Sequence, residues 1–97
     1  MRYDVALAPE ACHDLKRLDA HTRSKVRAAL EVHLRHEPTK TSRSRIKRLR
    51  GVSRPQFRLR VDDVRVFYDV SENRVEVLAV VMKSDAEAWL KEIGGKP

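Results

Sequence analysis

Three arginines in the second half of the chain stand where phosphate chemistry would need them. Within residues 57–61, Arg58 and Arg60 alternate with apolar side chains, so a strand would carry both arginines on one face. If Asp62-Asp63 is a two-residue hairpin turn, Arg65 of the next strand faces Arg60. Facing arginines destabilise a sheet, whereas guanidinium groups donate paired hydrogen bonds to phosphate oxygens. The pattern therefore predicts an anion site, in which Arg65 serves binding rather than folding.

The predicted register extends this arginine face. We expect it to include Phe67 as a surface for a nucleobase, an apolar floor of Leu78, Val80 and Met82, and Lys83 at its end. A basic track upstream consists of Lys47, Arg48, Arg50 and Arg54. The same register also places Asp69 opposite Glu76, so a like-charge pair is not by itself proof of a site. A solvated basic face, or one covered by the C-terminal helix through the apolar floor, fits the same pattern.

Other chemistries find little support in the sequence. His33 and His36 have helical spacing, but no carboxylate or cysteine cluster completes a metal shell, so neither a metal nor a cofactor is predicted. Cys12 is the only cysteine, which excludes an intramolecular disulfide. No Ser/His/Asp or Cys/His arrangement and no glycine-rich phosphate loop can be recognised. A pair of carboxylates for acid–base catalysis is also missing from the strand face.

Size and charge restrict the class of protein further. We expect residues 1–97 to form a single domain, because the chain has room for only one compact core. There are 21 Lys and Arg residues against 14 Asp and Glu, a formal net charge of +7, which favours nucleic acid, an acidic protein or an anionic membrane as the partner. The longest uncharged stretch, 77–82, is too short to span a bilayer, and the N-terminus lacks the apolar core of a secretory signal. A cytoplasmic location is therefore predicted.

Hydrophobic periodicity predicts an α+β fold with the order β-α-α-β-β-β-α. An N-terminal strand and a helical hairpin pack on an antiparallel β-meander, and a short C-terminal helix follows. The spacing predicts strands at 3–7, 56–61, 64–70 and 74–82, with turns at 62–63 and 72–73. It predicts helices from Pro9 to about Leu18, from a cap at Asp19 or Thr22 to the 36–38 stop, and from the capping box 84–87 to Gly94-Gly95. Residues 39–47 are predicted to form an exposed basic loop.

This order of elements, together with three segments, resembles the RelE/ParE superfamily of bacterial and archaeal toxins. The segments are KRLRG at 47–51, FRLRVDDVRVFYDV at 57–70 and VEVLAVVMK at 75–83. The resemblance covers nearly the whole chain. It implies a RelE-like fold, a role as the toxin of a type II toxin–antitoxin pair of the kind associated with plasmid stabilisation, and an acidic antitoxin encoded in the same operon. We expect the antitoxin to cover Leu78, Val80 and Met82.

The resemblance implies one of two targets. RelE-like members cut messenger RNA in the ribosomal A site without a metal, using basic residues on the sheet and a tyrosine near the C-terminal helix. Arg58, Arg60 and Arg65 match those basic residues, and Lys83 can supply a further charge, but Trp89 follows where relatives have the tyrosine. ParE-like members poison DNA gyrase without enzymatic activity. Our first hypothesis is a ribosome-dependent endoribonuclease that inhibits translation; the alternatives are a gyrase poison and an inactive relative that acts only in antitoxin binding and operon repression.

Overall fold

The computed structural model describes residues 2–94 and shows a mixed sheet with helices on both faces. In chain order the elements are β1 (Asp4–Leu7), α1 (Pro9–Arg17), α2 (Ala20–Ala29), a π-helical turn (Leu30–Leu34), β2 (Ile46–Arg48), β3 (Phe57–Val61), β4 (Val64–Ser71), β5 (Arg74–Met82) and α3 (Lys83–Gly94). The predicted α+β class and the predicted meander are confirmed. No helix within residues 2–94 is long and apolar enough to cross a membrane.

The sheet has the strand order β1-β5-β4-β3-β2. The N-terminal strand β1 runs parallel to β5, and all other neighbouring pairs are antiparallel. Arg60 lies opposite Arg65, and Asp69 lies opposite Glu76, as the predicted register requires. The turn residue Asp62 has a φ of 51°, a left-handed conformation that aspartate adopts more readily than most residues. The hairpin turn therefore fixes which arginines face each other.

The strand β2 lies where the sequence predicts part of an exposed loop, so that prediction is wrong for residues 46–48. Ile46 pairs with Leu59 and is buried, and this apolar contact holds the strand on the sheet edge. The Ser42 N–H donates to the Ile46 carbonyl at 2.9 Å, and the Ser42 hydroxyl accepts from the Ile46 N–H at 3.2 Å. These bonds satisfy the outward backbone groups of Ile46, which shortens the free sheet edge.

A β-bulge changes the direction of side chains along β5. Phe67 pairs with Ala79, whereas Tyr68 pairs with Val77, so Leu78 is an extra residue without a partner in β4. An extra residue of this kind reverses the alternation of side chains beyond it. Residues of β5 on either side of Leu78 therefore follow two different alternation patterns.

The bulge overturns the predicted apolar floor of the arginine face. Val80 belongs to the core beneath the helical hairpin and is only 4% exposed. Met82 lies opposite a buried valine of β4 and so shares that face. The prediction that Leu78, Val80 and Met82 together line the arginine face is therefore wrong; Ala79 and Val81 occupy the corresponding positions.

The helical hairpin buries its apolar side against the sheet, with Leu15 and Val26 almost fully enclosed. Pro9 opens α1, as predicted. Of the two predicted caps for α2, Asp19 is the one used, because its carboxylate accepts a hydrogen bond from the Thr22 N–H at 2.8 Å. This bond lowers the pKa of Asp19.

The C-terminal helix α3 begins directly after β5, as predicted, and packs against β4 and β5. It starts at Lys83, so Ser84 lies within the first turn instead of preceding the helix. Of the predicted stop, Gly94 ends α3 and Gly95 lies outside the described residues. The helix covers the half of the sheet that carries Phe67 and leaves the β2–β3 half uncovered.

Candidate nucleic-acid interface

Four basic residues share one face of the sheet because they pair directly across neighbouring strands. Lys47 of β2 lies opposite Arg58 of β3, and Arg60 of β3 lies opposite Arg65 of β4. Arg58 and Arg60 are two residues apart in one strand, so all four side chains leave the same face. We refer to Lys47, Arg58, Arg60 and Arg65 as the cationic face. The structure thus brings together the three predicted catalytic arginines and adds Lys47.

The Arg65 side chain is largely buried and forms hydrogen bonds within the protein. The residue is only 8% exposed. Its Nη1 donates to the carbonyl oxygens of Asp62 at 2.8 Å and Val64 at 3.1 Å, which ties the guanidinium to the β3–β4 turn. Charge-assisted bonds of this kind offset the cost of burying the charge. These contacts give Arg65 a part in the fold, and its expected role in binding stays a prediction.

Arg58 is the member of the cationic face with a buried nitrogen that forms no hydrogen bond in the described part of the chain. Its Nε is buried and has no hydrogen-bond partner within residues 2–94. Burial lowers the pKa of Arg58, and the neighbouring charges of Arg65 and Arg60 lower it further. A buried donor without an acceptor costs about 1–3 kcal/mol. An anion bound at the exposed part of the Arg58 side chain would relieve the repulsion from Arg65 and Arg60.

Arg60 and Lys47 flank Arg58 and are exposed to solvent. Arg60 lines a shallow recess with Ser44, Arg45 and Asp62 at the end of β3. The Asp62 carboxylate is already engaged, because the Lys25 ammonium donates to it at 2.7 Å and lowers its pKa. Arg60 and Lys47 can therefore reach a bound anion from two sides of Arg58.

The predicted upstream track is only partly on this face. Arg48 pairs with Phe57, whose ring is in the core, and the Arg48 guanidinium lies 5.1 Å from the centre of that ring. This cation–π contact places Arg48 on the opposite face of the sheet from Arg58. Arg50 is exposed in the loop between β2 and β3. The structure therefore does not align these residues in one row with the cationic face.

Arg54 is held by two carboxylates of the sheet. Its Nε donates to Asp69 at 2.9 Å, and its Nη2 donates to Glu76 at 3.2 Å. Asp69 also accepts from the Gln56 N–H at 2.8 Å, and the Gln56 side chain accepts from the Val70 N–H at 2.8 Å. This network, which we call the Arg54 clamp, balances the like-charged Asp69–Glu76 pair. Arg54 is therefore paired with carboxylates of the sheet, and its predicted contact with phosphate stays a prediction.

Lys83 lies directly after the end of β5, near the β3–β4 turn and away from Arg58. It is exposed at the first position of α3, and its backbone N–H donates to the Asp63 carbonyl at 2.6 Å. Two strand spacings, about 10 Å, separate β5 from β3 and thus from Arg58. The positive end of a helix is also an unfavourable place for a lysine. Lys83 is therefore placed to touch a neighbouring part of a long ligand rather than the phosphate at Arg58.

Phe67 does not offer the predicted surface for a base. The residue has no exposed area, because Trp89 of α3 covers it. The two rings are stacked with 4.8 Å between their centres and 8° between their planes. The Trp89 indole N–H approaches a Glu10 carboxylate oxygen at 3.5 Å. The alternative that α3 covers part of this face is confirmed, and the Trp89–Phe67 stack is one of its contacts.

Three side chains of β4 and β5 that could exchange a proton, those of Tyr68, Asp69 and Glu76, are already hydrogen-bonded within the protein. Tyr68 is fully buried, as predicted for a core residue, and its hydroxyl donates to the Pro38 carbonyl at 2.6 Å. Burial raises the pKa of Tyr68. The carboxylates of Asp69 and Glu76, which share the sheet face with Phe67, belong to the Arg54 clamp. Among residues 2–94, no three His, Cys, Asp or Glu side chains come close enough to hold a metal ion.

Two features of the site were not visible in the sequence. The stacking of Trp89 on Phe67 was missed because the sequence of a helix does not predict which residue of the sheet its indole contacts. The Arg54 clamp was missed because the 50–56 loop has no periodicity from which a contact with β4 can be derived. The like-charged Asp69–Glu76 pair was a usable signal, since two facing carboxylates call for a cation.

Comparison with known proteins assigns the chain to a family. Residues 5–87 match the family model described as the ParE toxin of the type II toxin-antitoxin system, parDE. A comparison with curated proteins gave no significant match.

Solved structures of toxins share the fold. The chain is similar to one in the archaeal RelE-RelB complex from Pyrococcus horikoshii OT3, with a TM-score of 0.70, 21% identity, and coverage of 86% of this chain and 97% of that one. The RelBE2 complex from Mycobacterium tuberculosis gives a TM-score of 0.70 and 24% identity, with 88% and 95% covered. The YoeB dimer from Staphylococcus aureus gives 0.61 and 19%, with 81% and 94% covered. The likeness to these structures concerns the fold, and together with the family match it leads to one conclusion: the chain belongs to the ParE toxin family, within the RelE/ParE superfamily of type II toxin–antitoxin toxins.

Proposed function

We propose that this toxin acts on RNA and cleaves messenger RNA on the ribosome without a metal ion. The observation that carries the proposal is the half-buried Arg58 side chain, which lies among like charges on the cationic face and has no anionic partner in the described residues. A phosphodiester supplies the acceptor and the negative charge that this arrangement lacks. Arg60 and Lys47 stand on either side of it and are free to hold the same phosphate or the next one.

The proposed reaction uses the RNA itself as the nucleophile. The 2′-oxygen forms a bond to the adjacent phosphorus, and the bond from phosphorus to the 5′-oxygen breaks, leaving a cyclic phosphate and a 5′-hydroxyl. Arg58 and Arg60 stabilise the negative charge that develops on the phosphate oxygens. Water takes the 2′-proton and returns one to the 5′-oxygen, since Tyr68 is buried in the core and Tyr3 lies beside β1 at the far edge of the sheet. Acid–base assistance is typically worth about 10²–10⁴-fold, so we expect slow cleavage.

The test is induced expression followed by mapping of messenger RNA ends. We expect protein synthesis to stop early and new ends to appear inside reading frames. Arg58→Met should abolish both effects, whereas Arg27→Met, which removes the same charge from an exposed position of α2, should change neither. Growth arrest with intact transcripts, or equal toxicity of Arg58→Met, would refute the nuclease proposal.

A gyrase poison is the second candidate, and two observations favour it. The matched family model carries the ParE description, and the tyrosine used by RelE-like members is replaced by Trp89. A poison of this kind needs a binding surface but no proton exchange. It predicts early arrest of DNA synthesis and induction of the DNA-damage response, and the expression experiment distinguishes the two targets by which synthesis stops first.

The proposed protein partner is a cognate acidic antitoxin. Two of the similar structures are toxin–antitoxin complexes, and the net charge of +7 favours an acidic partner. Met82 is 40% exposed, and Leu78 is partly exposed, so both can contribute to such an interface, whereas Val80 is buried in the core. We expect copurification with the acidic product of a neighbouring gene; no affinity for that product would contradict the pairing.

A further inference from the structure

The single tryptophan of the chain occupies a distinctive position beside the cationic face. Trp89 is partly exposed, and its ring lies parallel to the fully buried Phe67 ring beneath it. Phe67 covers one side of the indole, and the Trp89 side chain keeps part of its area accessible to solvent. An aromatic ring that is supported by a second ring and partly open to solvent is the kind of surface on which nucleobases stack.

The sheet register places this aromatic surface next to Arg58. Arg58 and Phe67 are direct cross-strand partners and leave the same face of the sheet. Side chains in such pairs start only about 5 Å apart. Trp89 rests on Phe67, and Phe67 is on the side of Arg58 away from Lys47. A guanidinium that can bind phosphate and a stacked aromatic pair therefore lie over adjacent strands of the same sheet face.

We propose that Trp89 stacks the base of the nucleotide whose phosphate is bound by Arg58. The inference rests on the proposed function and names its substrate class: a single-stranded RNA segment with an unpaired base. A paired base cannot lie flat on the indole, so this contact selects single-stranded over duplex RNA. Stacking depends on ring area rather than hydrogen bonds, so a modest preference for purines follows.

The position of α3 agrees with this role. The helix covers the β4–β5 half of the face and leaves the β2–β3 half open. An RNA strand that enters from the β2 edge therefore contacts Arg58 first and Trp89 next. Arg65 is tied to the β3–β4 turn and does not compete for the phosphate. Trp89 therefore replaces Phe67 as the predicted surface for a base.

The first measurement uses the intrinsic fluorescence of the full-length protein. Trp89 is the only tryptophan, so quenching by a short single-stranded RNA reports on this site alone. We expect quenching with single-stranded RNA and little with a duplex of the same sequence or with an oligomer that lacks the base at the bound position. Binding of a labelled RNA, followed by anisotropy, is measured in parallel.

Two variants separate stacking from charge. Trp89→Leu keeps an apolar cover on Phe67 and should weaken binding about 5- to 100-fold, since base stacking on an aromatic ring contributes about 1–3 kcal/mol. The salt dependence of binding and the affinity for the abasic oligomer should not change. Arg58→Met should weaken both oligomers and reduce the slope of log K against log salt by about 0.7. Trp89→Tyr should retain most of the affinity and controls for any loss of folding in Trp89→Leu.

The outcomes distinguish this inference from the proposed function. RNA that binds without quenching the indole, or that binds Trp89→Leu and the wild type equally, overturns the stacking inference and leaves the proposed function intact. Failure of the wild type to bind single-stranded RNA also overturns the stacking inference, whereas the proposed function, which concerns messenger RNA on the ribosome, stands or falls on the mapping of messenger RNA ends. If Trp89→Leu does not fold, the quenching titration of the wild type and the Trp89→Tyr affinity still decide.

Discussion

Replacing Arg65 with methionine should damage the fold more than the site. The substitution preserves an apolar stem but removes the guanidinium that donates to two carbonyl oxygens of the β3–β4 turn. Hydrogen bonds from a charged donor contribute about 1.5–3 kcal/mol each. Loss of a buried charge and of repulsion from Arg58 and Arg60 offsets part of this loss. We expect a net destabilisation of about 1–3 kcal/mol.

The matched variant is Arg58→Met, which removes the same charge from the adjacent strand. Arg58 loses no hydrogen bond through its Nε, because that atom has no partner in the described residues, and the repulsion among the arginines falls. We therefore expect its stability to stay the same or rise slightly, while RNA binding is weakened. The two variants should thus separate folding from binding on one face of the sheet.

The assay combines thermal unfolding with RNA binding. For a domain of this size, 1 kcal/mol corresponds to about 4–8 °C, so Arg65→Met should lower the melting temperature by about 5–20 °C. Below its melting temperature this variant should still bind RNA with reduced affinity, since Arg58 remains. Unchanged stability of Arg65→Met together with complete loss of binding would refute the reasoning and identify Arg65 as a phosphate ligand.

Three further predictions follow from individual contacts. Arg54→Ala should lower the melting temperature, because it leaves Asp69 facing Glu76 without a cation, yet it should change RNA affinity little, which the same two assays check. Tyr68→Phe should lose a buried hydrogen bond and about 1–2 kcal/mol of unfolding free energy in denaturant titration. Burial and the charge of Arg45 lower the pKa of His33, so the unfolded state binds the proton more readily, and stability should fall as the pH drops below the ordinary value of 6.5. Urea titrations from about pH 7.5 to about pH 5.5 should show this slope in the wild type and a weaker one in His33→Gln.

The sequence by itself determined the meander and the facing arginines. The alternation in residues 57–61 and the Asp62-Asp63 turn are local signals, and a two-residue turn fixes the register of both strands that it joins. Arg60 therefore had to face Arg65 once the turn was recognised. Pro9 and Asp19 likewise set the helix starts through bonds within a few residues.

Only the tertiary structure decided which of these side chains are free. The strand β2 forms because Ile46 pairs with Leu59 across the sheet. With only three residues, the strand is too short to show an alternating pattern in the sequence. Because of the bulge at Leu78, the Val80 side chain points into the core. No residue type in β5 predicts a bulge at this position. Contacts between distant segments occupy Arg54, which reaches Asp69 and Glu76, and the folded turn places two carbonyl oxygens within reach of Arg65. Neither arrangement provides a partner for the Nε of Arg58 in the described residues. Local sequence patterns thus predict which basic residues share the cationic face. Which of these residues can bind a ligand depends on the packing around them.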